Sequence, residues 1–119
     1  MNIYVDIDET ICRYTSGDKY KERDYSSAAP IEENIACINK LYDLGHTIVY
    51  WTARGTVTKI DWSQLTIEQL KGWGAKFTEV QLGKPAYDVF ICDKAINSDK
   101  FFKNFDEILM KGEGDVLHI

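Results

Sequence analysis

Apolar positions in this chain fall into short runs separated by polar stretches, and the spacing inside each run predicts the element. Residues 2–6 are a compact apolar run that closes on an acid, which reads as a buried first strand. Residues 11–29 are polar, hold Gly17 and lack an apolar period, so they read as a long excursion; excursions of this length in a small domain are usually functional or disordered. Pro30 suits a first helical position, and Glu32 and Glu33 favour a helix N-terminus. Ile31, Ile35, Ile38, Leu41 and Tyr42 then recur at helical spacing until Gly45 stops the helix.

The remaining runs continue the alternation. Residues 46–52, β-branched and aromatic, predict a second strand, and 53–63 a loop. Thr66 to Gln69 resembles a capping box opening a short helix that ends near Gly72 or Gly74. Residues 77–81 predict a third strand, 87–93 a fourth, and 98–110 a helix. Strand and helix alternating in this way predict an α/β fold, Rossmann-like and three-layered, with a mainly parallel central sheet covered by helices. Such sheets receive ligands beyond the carboxyl ends of their strands. Asp6 and Asp8 end the first strand, Thr52 the second and Asp93 the fourth, with Lys84 on the loop before it. All are expected at one rim.

Length sets the scale: 119 residues make a single domain with a real core, and no internal repeat or linker divides residues 1–119. A net charge of −5 argues against a basic nucleic-acid face, so a nucleic-acid partner is not expected. Three cysteines, Cys12, Cys37 and Cys92, form no CxxC pair, which suits a reducing, cytoplasmic compartment. Neither a membrane span nor a signal peptide is evident. Homo-oligomerisation is left open.

The chemistry lies in the acids. Residues two apart on extended chain share a side, so Asp6 and Asp8 face one crevice, and Asp93 brings a third carboxylate. Three converging carboxylates repel one another unless a cation sits among them, and an oxygen-only set with room for water suits Mg²⁺. The ion, Lys84 and the Thr52 hydroxyl would then make a positive, hydrogen-bonding pocket for a phosphate group.

These residues carry a family resemblance. Asp6-Ile7-Asp8-Glu9-Thr10 resembles the DxDx[TV] signature of the haloacid-dehalogenase-like (HAD) phosphohydrolases. Thr52 resembles their second motif, Lys84 in GKPAYD the third, and Asp93 in VFICDKAIN the fourth, in order through residues 3–97. The run TARG, GKPAYD, DKA is also similar to small phosphatases found beside capsular-polysaccharide genes. The resemblance implies a magnesium-dependent phosphomonoesterase for a small phosphorylated metabolite such as a sugar phosphate. Asp6 would be the nucleophile, Asp8 the acid and base, and Thr52 and Lys84 the phosphoryl-holding groups. Magnesium would take the Asp6 carboxylate, the Asp8 carbonyl and the Asp93 carboxylate. Cys92 stands where the family usually has another acid beside Asp93, and Asn97 or Asp99 could supply the second oxygen. No segment is long enough for a large cap domain. The excursion at 11–29 corresponds to a flap whose Arg13, Tyr14, Lys19, Tyr20, Lys21, Arg23 and Tyr25 suit a polar phosphorylated substrate; Thr10 and Arg54 are further substrate-binding candidates.

Plainer readings stand beside these. The flap cations and Arg54 are as readily solvated or salt-bridging surface groups, and Thr52 or Lys84 alone would be unremarked. His46 and His118 lack ligand spacing, Trp51, Trp62 and Trp73 suit core or interface, and Cys12 is a bystander to the acid motif. Two other function classes compete: a signalling receiver domain, and a phosphate-binding module or polynucleotide-end phosphatase. A receiver needs an acceptor aspartate ending its third strand, and FTEVQ supplies none.

Overall fold

The structure is a computed structural model that describes residues 1–14 and 23–111. Strand β1 (Asn2–Val5) leads into a short arm, β2 (Cys12–Arg13) against β3 (Ala29–Pro30), with a 3-10 turn at Tyr25–Ser27 between them. Helix α1 (Glu32–Asp43), strand β4 (Thr47–Trp51), helix α2 (Ser63–Gly72), strand β5 (Glu79–Gln81), and helices α3 (Ser98–Lys103) and α4 (Phe105–Lys111) follow. The fold is a small α/β unit: a parallel sheet in the order β1-β4-β5 and four α-helices among the described residues.

Parallel pairing is what builds the rim. Val5 pairs with Tyr50, and Tyr50 with Val80, so the three strands finish almost level. Asp6 and Thr52 therefore leave the same edge of the sheet, where the Thr52 amide donates to the Gln81 carbonyl at 3.0 Å. The Lys84 amide then donates to the Thr52 carbonyl at 3.1 Å, drawing the loop after β5 across the end of β4.

Helix α1 forms as its spacing predicts. Ile35, Ile38 and Leu41 face one core with Val5, Ile7, Ile11, Ile48, Tyr50 and Leu70, to which α3 and α4 add Phe101, Phe105 and Ile108. Truncating a buried Ile or Leu of this kind to Ala costs about 2–5 kcal/mol. Gly45 ends α1 at φ +98°: its amide bonds the Tyr42 carbonyl, and that of His46 the Leu41 carbonyl, the paired closure of a Schellman turn.

Four local expectations are corrected. Pro30 lies in β3 opposite Cys12, and α1 starts after Ile31, whose amide is taken by the Ile11 carbonyl. Tyr42 is exposed, since within α1 it follows the buried Leu41 by one residue and so points off the buried face. Helix α2 opens at Ser63, where the Asp61 carboxylate accepts from the Ser63 amide, so Thr66 is interior and cannot cap. Residues 87–93 form no strand: Val89, Phe90 and Ile91 are exposed, the last at 93 %. An apolar run becomes a strand only when a ladder receives it. None of the described strands pairs with this one, and Pro85 lacks an amide to continue the bonding that Lys84 begins.

Candidate active site

The acid-rich turn after β1 is built by its own backbone. The Thr10 and Ile11 amides both bond the Ile7 carbonyl, Glu9 adopts φ +62°, and its amide meets the Cys12 carbonyl at 3.0 Å. Ile7 and Ile11 are fully buried, so the apolar residues of the turn anchor it and its acids are turned to polar surroundings.

The two aspartates receive different cations. Asp6 accepts from the Ile7 amide at 2.8 Å, and its Oδ2 lies 3.4 Å from Lys84 Nζ. Its side chain keeps 43 % exposure while that of Lys84 keeps only 12 %. Lys84 is held by cation–π contacts, 5.5 Å from the Trp51 ring centre and 5.3 Å from that of Tyr87. Burial pushes the Asp6 carboxyl above its ordinary value, and the opposing pull of Lys84 does not fully offset it.

Asp8 instead faces inward, with 16 % of its side chain exposed. Arg54 Nη2 donates to its Oδ1 at 2.9 Å, and Arg54 Nε to its Oδ2 at 3.1 Å, a two-pronged ion pair. The Tyr14 hydroxyl donates to Oδ1 at 2.5 Å. Arg54 is 1 % exposed, and its Nη1 is taken by Thr66 Oγ1 at 3.1 Å and Gln69 Oε1 at 2.7 Å. Gln69 is in turn tied to the Tyr25 carbonyl, and the Tyr25 ring lies 4.8 Å from the guanidinium carbon. Burial opposes the Arg54 charge, but Asp8 more than compensates, holding its pKa above the usual arginine value. Burial and the neighbouring Asp8 carboxylate push the Tyr14 phenol upward, and burial first, then Asp8, pushes the Cys12 thiol up to about 12. Cys12 stays protonated at neutral pH and is no nucleophile.

Of the residues expected at the rim, Asp6, Asp8, Thr52 and Lys84 meet there. The buried Thr52 hydroxyl accepts the Arg54 amide at 3.2 Å, which leaves its own proton for donation. Asp93 is exposed, in a turn outside the sheet, and no three acid, histidine or cysteine side chains gather as a ligand set among the described residues. The expected gathering of three carboxylate side chains is therefore not found among the described residues, where Asp8 is turned to Arg54 and 87–93 is not a strand.

Thr10 is partly buried, and its carbonyl accepts from Asn34. Arg13 is exposed on β2, while Arg23 lies 3.4 Å from Glu9 and over the Tyr14 ring. Lys19, Tyr20 and Lys21 lie outside the described residues, as does His118. Arg54 is the clearest departure from expectation: it is an interior group with protein partners, neither a surface salt bridge nor an arm into the crevice. Thr66 and Gln69 were missed as its partners. Their signal was a polar pair three residues apart, which shares one face of a helix.

No family model and no curated protein matches the chain. The crystal structure of an MCSG target from Vibrio cholerae is similar, with a TM-score of 0.74 and 25 % identity over 92 % of this chain and 95 % of that one. That likeness supports an α/β fold of this type over nearly the whole length. No helix among the described residues is long and apolar enough to cross a membrane.

Proposed function

We propose that this chain is a phosphomonoester hydrolase of the HAD-like type, Rossmann-like and without a large cap domain, working through a phosphoaspartate on Asp6. One observation carries the reading: two carboxylates two residues apart, at one strand end, are held in opposite ways. Asp6 is half-exposed beside Lys84 and Thr52, as a nucleophile facing a phosphate should be, and Asp8 is fixed from behind.

In this reading an Asp6 oxygen attacks phosphorus in line, forming the acyl phosphate as the ester P–O bond breaks. Asp8 gives its proton to the departing alkoxide. Water then attacks the phosphoaspartate, passes a proton to Asp8, and frees phosphate and the Asp6 carboxylate. Lys84 and the Thr52 hydroxyl neutralise the phosphoryl oxygens as charge builds. The arm after β1 is the base of the flap, where Arg13 and Arg23 favour a small anionic substrate such as a sugar phosphate; Thr10 and Arg13 are retained as substrate contacts. Magnesium enters on the resemblance alone. On that resemblance the Asp6 carboxylate, the Asp8 carbonyl and the Asp93 carboxylate would hold it, and no step here runs through a metal.

A second reading, a phosphate-binding domain without turnover, is favoured by Cys92 standing beside Asp93 where the family usually has another acid. The test is a phosphomonoester panel with Mg²⁺, covering sugar phosphates, nucleotides and 3′-phosphorylated oligonucleotides, followed by mass spectrometry of quenched protein. Turnover with a phosphate trapped on Asp6 in Asp8→Asn supports the first reading. Phosphate binding without release of alcohol from any ester supports the second.

A further inference from the structure

Arg54 has five N–H donors, and the structure occupies all three of its nitrogens with protein oxygens. A guanidinium so committed and so buried has nothing left to offer a substrate. Its partners come from distant parts of the chain: Asp8 after β1, Thr66 and Gln69 on α2, and Tyr14 after β2, 3.4 Å from Nη2. Such a group sets the direction of the one side chain among them that borders the rim, which is Asp8.

The two oxygens of Asp8 are treated unequally. Oδ1 accepts from Arg54 Nη2 at 2.9 Å and from Arg54 Nε at 3.3 Å, from the Tyr14 hydroxyl at 2.5 Å and from the Cys12 thiol at 3.5 Å. Oδ2 accepts from Arg54 Nε alone among the described residues, at 3.1 Å. A carboxylate oxygen has two lone pairs in its plane, so Oδ1 is saturated and Oδ2 keeps one acceptor position.

We infer that Arg54, with Tyr14, is a positioning residue that anchors Asp8 through Oδ1 and makes Oδ2 the atom that exchanges protons at the crevice. This rests on the phosphatase reading above and adds to it a residue and an atom. In the first half-reaction the proton leaves Oδ2 for the ester oxygen, and in the second it returns to Oδ2 from water. Arg54 stays protonated throughout, and Oδ1 never leaves its donors.

The experiment compares wild type, Arg54→Lys and Tyr14→Phe on two substrates with Mg²⁺ present. One is p-nitrophenyl phosphate, whose leaving group needs little protonation, and the other an alkyl phosphate, whose leaving group needs a proton. Lysine keeps the charge but cannot hold both oxygens. Arg54→Lys should lower kcat on the alkyl ester by about 10²-fold or more, the scale of a lost general acid, with KM within about twofold of wild type. On the aryl ester the loss should be several-fold smaller, and phosphoenzyme should accumulate because its hydrolysis still needs the base. Tyr14→Phe, a milder change that keeps the ring, should show the same ordering with a smaller loss. A rise in KM with equal losses on both esters would overturn the inference, since that is the signature of a phosphate-binding arginine. So would a Tyr14→Phe protein indistinguishable from wild type on both. A wild-type protein that turns over neither ester removes the phosphatase reading itself, and the inference with it.

Discussion

Lys84 approaches Asp6 to 3.4 Å, yet the carboxyl titrates above its ordinary value instead of below it. An ion pair usually favours the charged acid. Here burial outweighs it, and the neighbouring Asp8 carboxylate adds a smaller push in the same direction.

The first prediction follows from that balance. Lys84 is the largest influence holding the Asp6 value down, so Lys84→Met should raise it further. Asp6 must be ionised to attack, and the acid limb of the kcat/KM profile should move to higher pH in the variant, on top of a general drop in turnover. A profile measured from pH 4 to 9 with one activated phosphate ester tests it. An acid limb that stays in place would detach Lys84 from Asp6.

Asp6 should also weaken the fold at neutral pH. With its folded-state value raised, the native chain keeps a proton that the unfolded chain has already released. Stability therefore falls as pH rises through that window and stays lowered above it. Asp6→Asn carries no such cost. Its Tm should exceed that of wild type at pH 7, and the advantage should vanish below about pH 3, where the ordinary aspartate is protonated in both states. Calorimetry at the two pH values, with no divalent cation added, gives the comparison; a variant less stable at pH 7 contradicts it.

Metal dependence separates the resemblance from the geometry. The resemblance expects a chelator to abolish turnover and Mg²⁺ to restore it. With Asp93 exposed in a turn outside the sheet, Asp93→Asn should leave the Mg²⁺ titration of activity unchanged. If the variant instead needs much more Mg²⁺, Asp93 reaches the site by rearrangement of residues 85–97.

Gly55 should not accept a side chain. It sits at φ +80°, and an added Cβ would collide with the Ile60 carbonyl oxygen, a backbone atom that cannot step aside. Gly55→Ala should cost about 1–3 kcal/mol, the usual scale of forced overpacking, read from urea unfolding. Because Arg54 is its neighbour, turnover should fall as well. The same substitution at Gly45 meets no atom within 4 Å, so there only the left-handed backbone is strained and the loss should be smaller.

Thiol labelling gives an independent test of the interior. Cys92 is exposed, whereas Cys12 is fully buried with its thiol pushed up to about 12. A maleimide should modify Cys92 rapidly at pH 7 and spare Cys12 until denaturant is added. Peptide mapping of the labelled protein reads the two sites separately.

Much of this molecule is decided by local pattern. The period of α1 and the glycines that close it and α2 carry their own physical instruction, which needs no distant partner, and the apolar runs of β1, β4 and β5 mark segments able to pair. The parallel rim follows from their alternation, and with it the meeting of Asp6, Thr52 and Lys84. What the sequence by itself could not determine is which polar groups go inside. Arg54 reads as a substrate contact or a surface group, and only the arrival of Asp8, Tyr14, Thr66 and Gln69 from separate elements makes its burial tolerable. Residues 87–93 show the reverse: a run apolar enough for a strand stays exposed, taking Asp93 with it, since a strand's energy lies in a ladder that a neighbour must supply. Periodicity is a property of one segment, whereas charge burial and strand pairing are properties of two, and the second partner is chosen only in the folded chain.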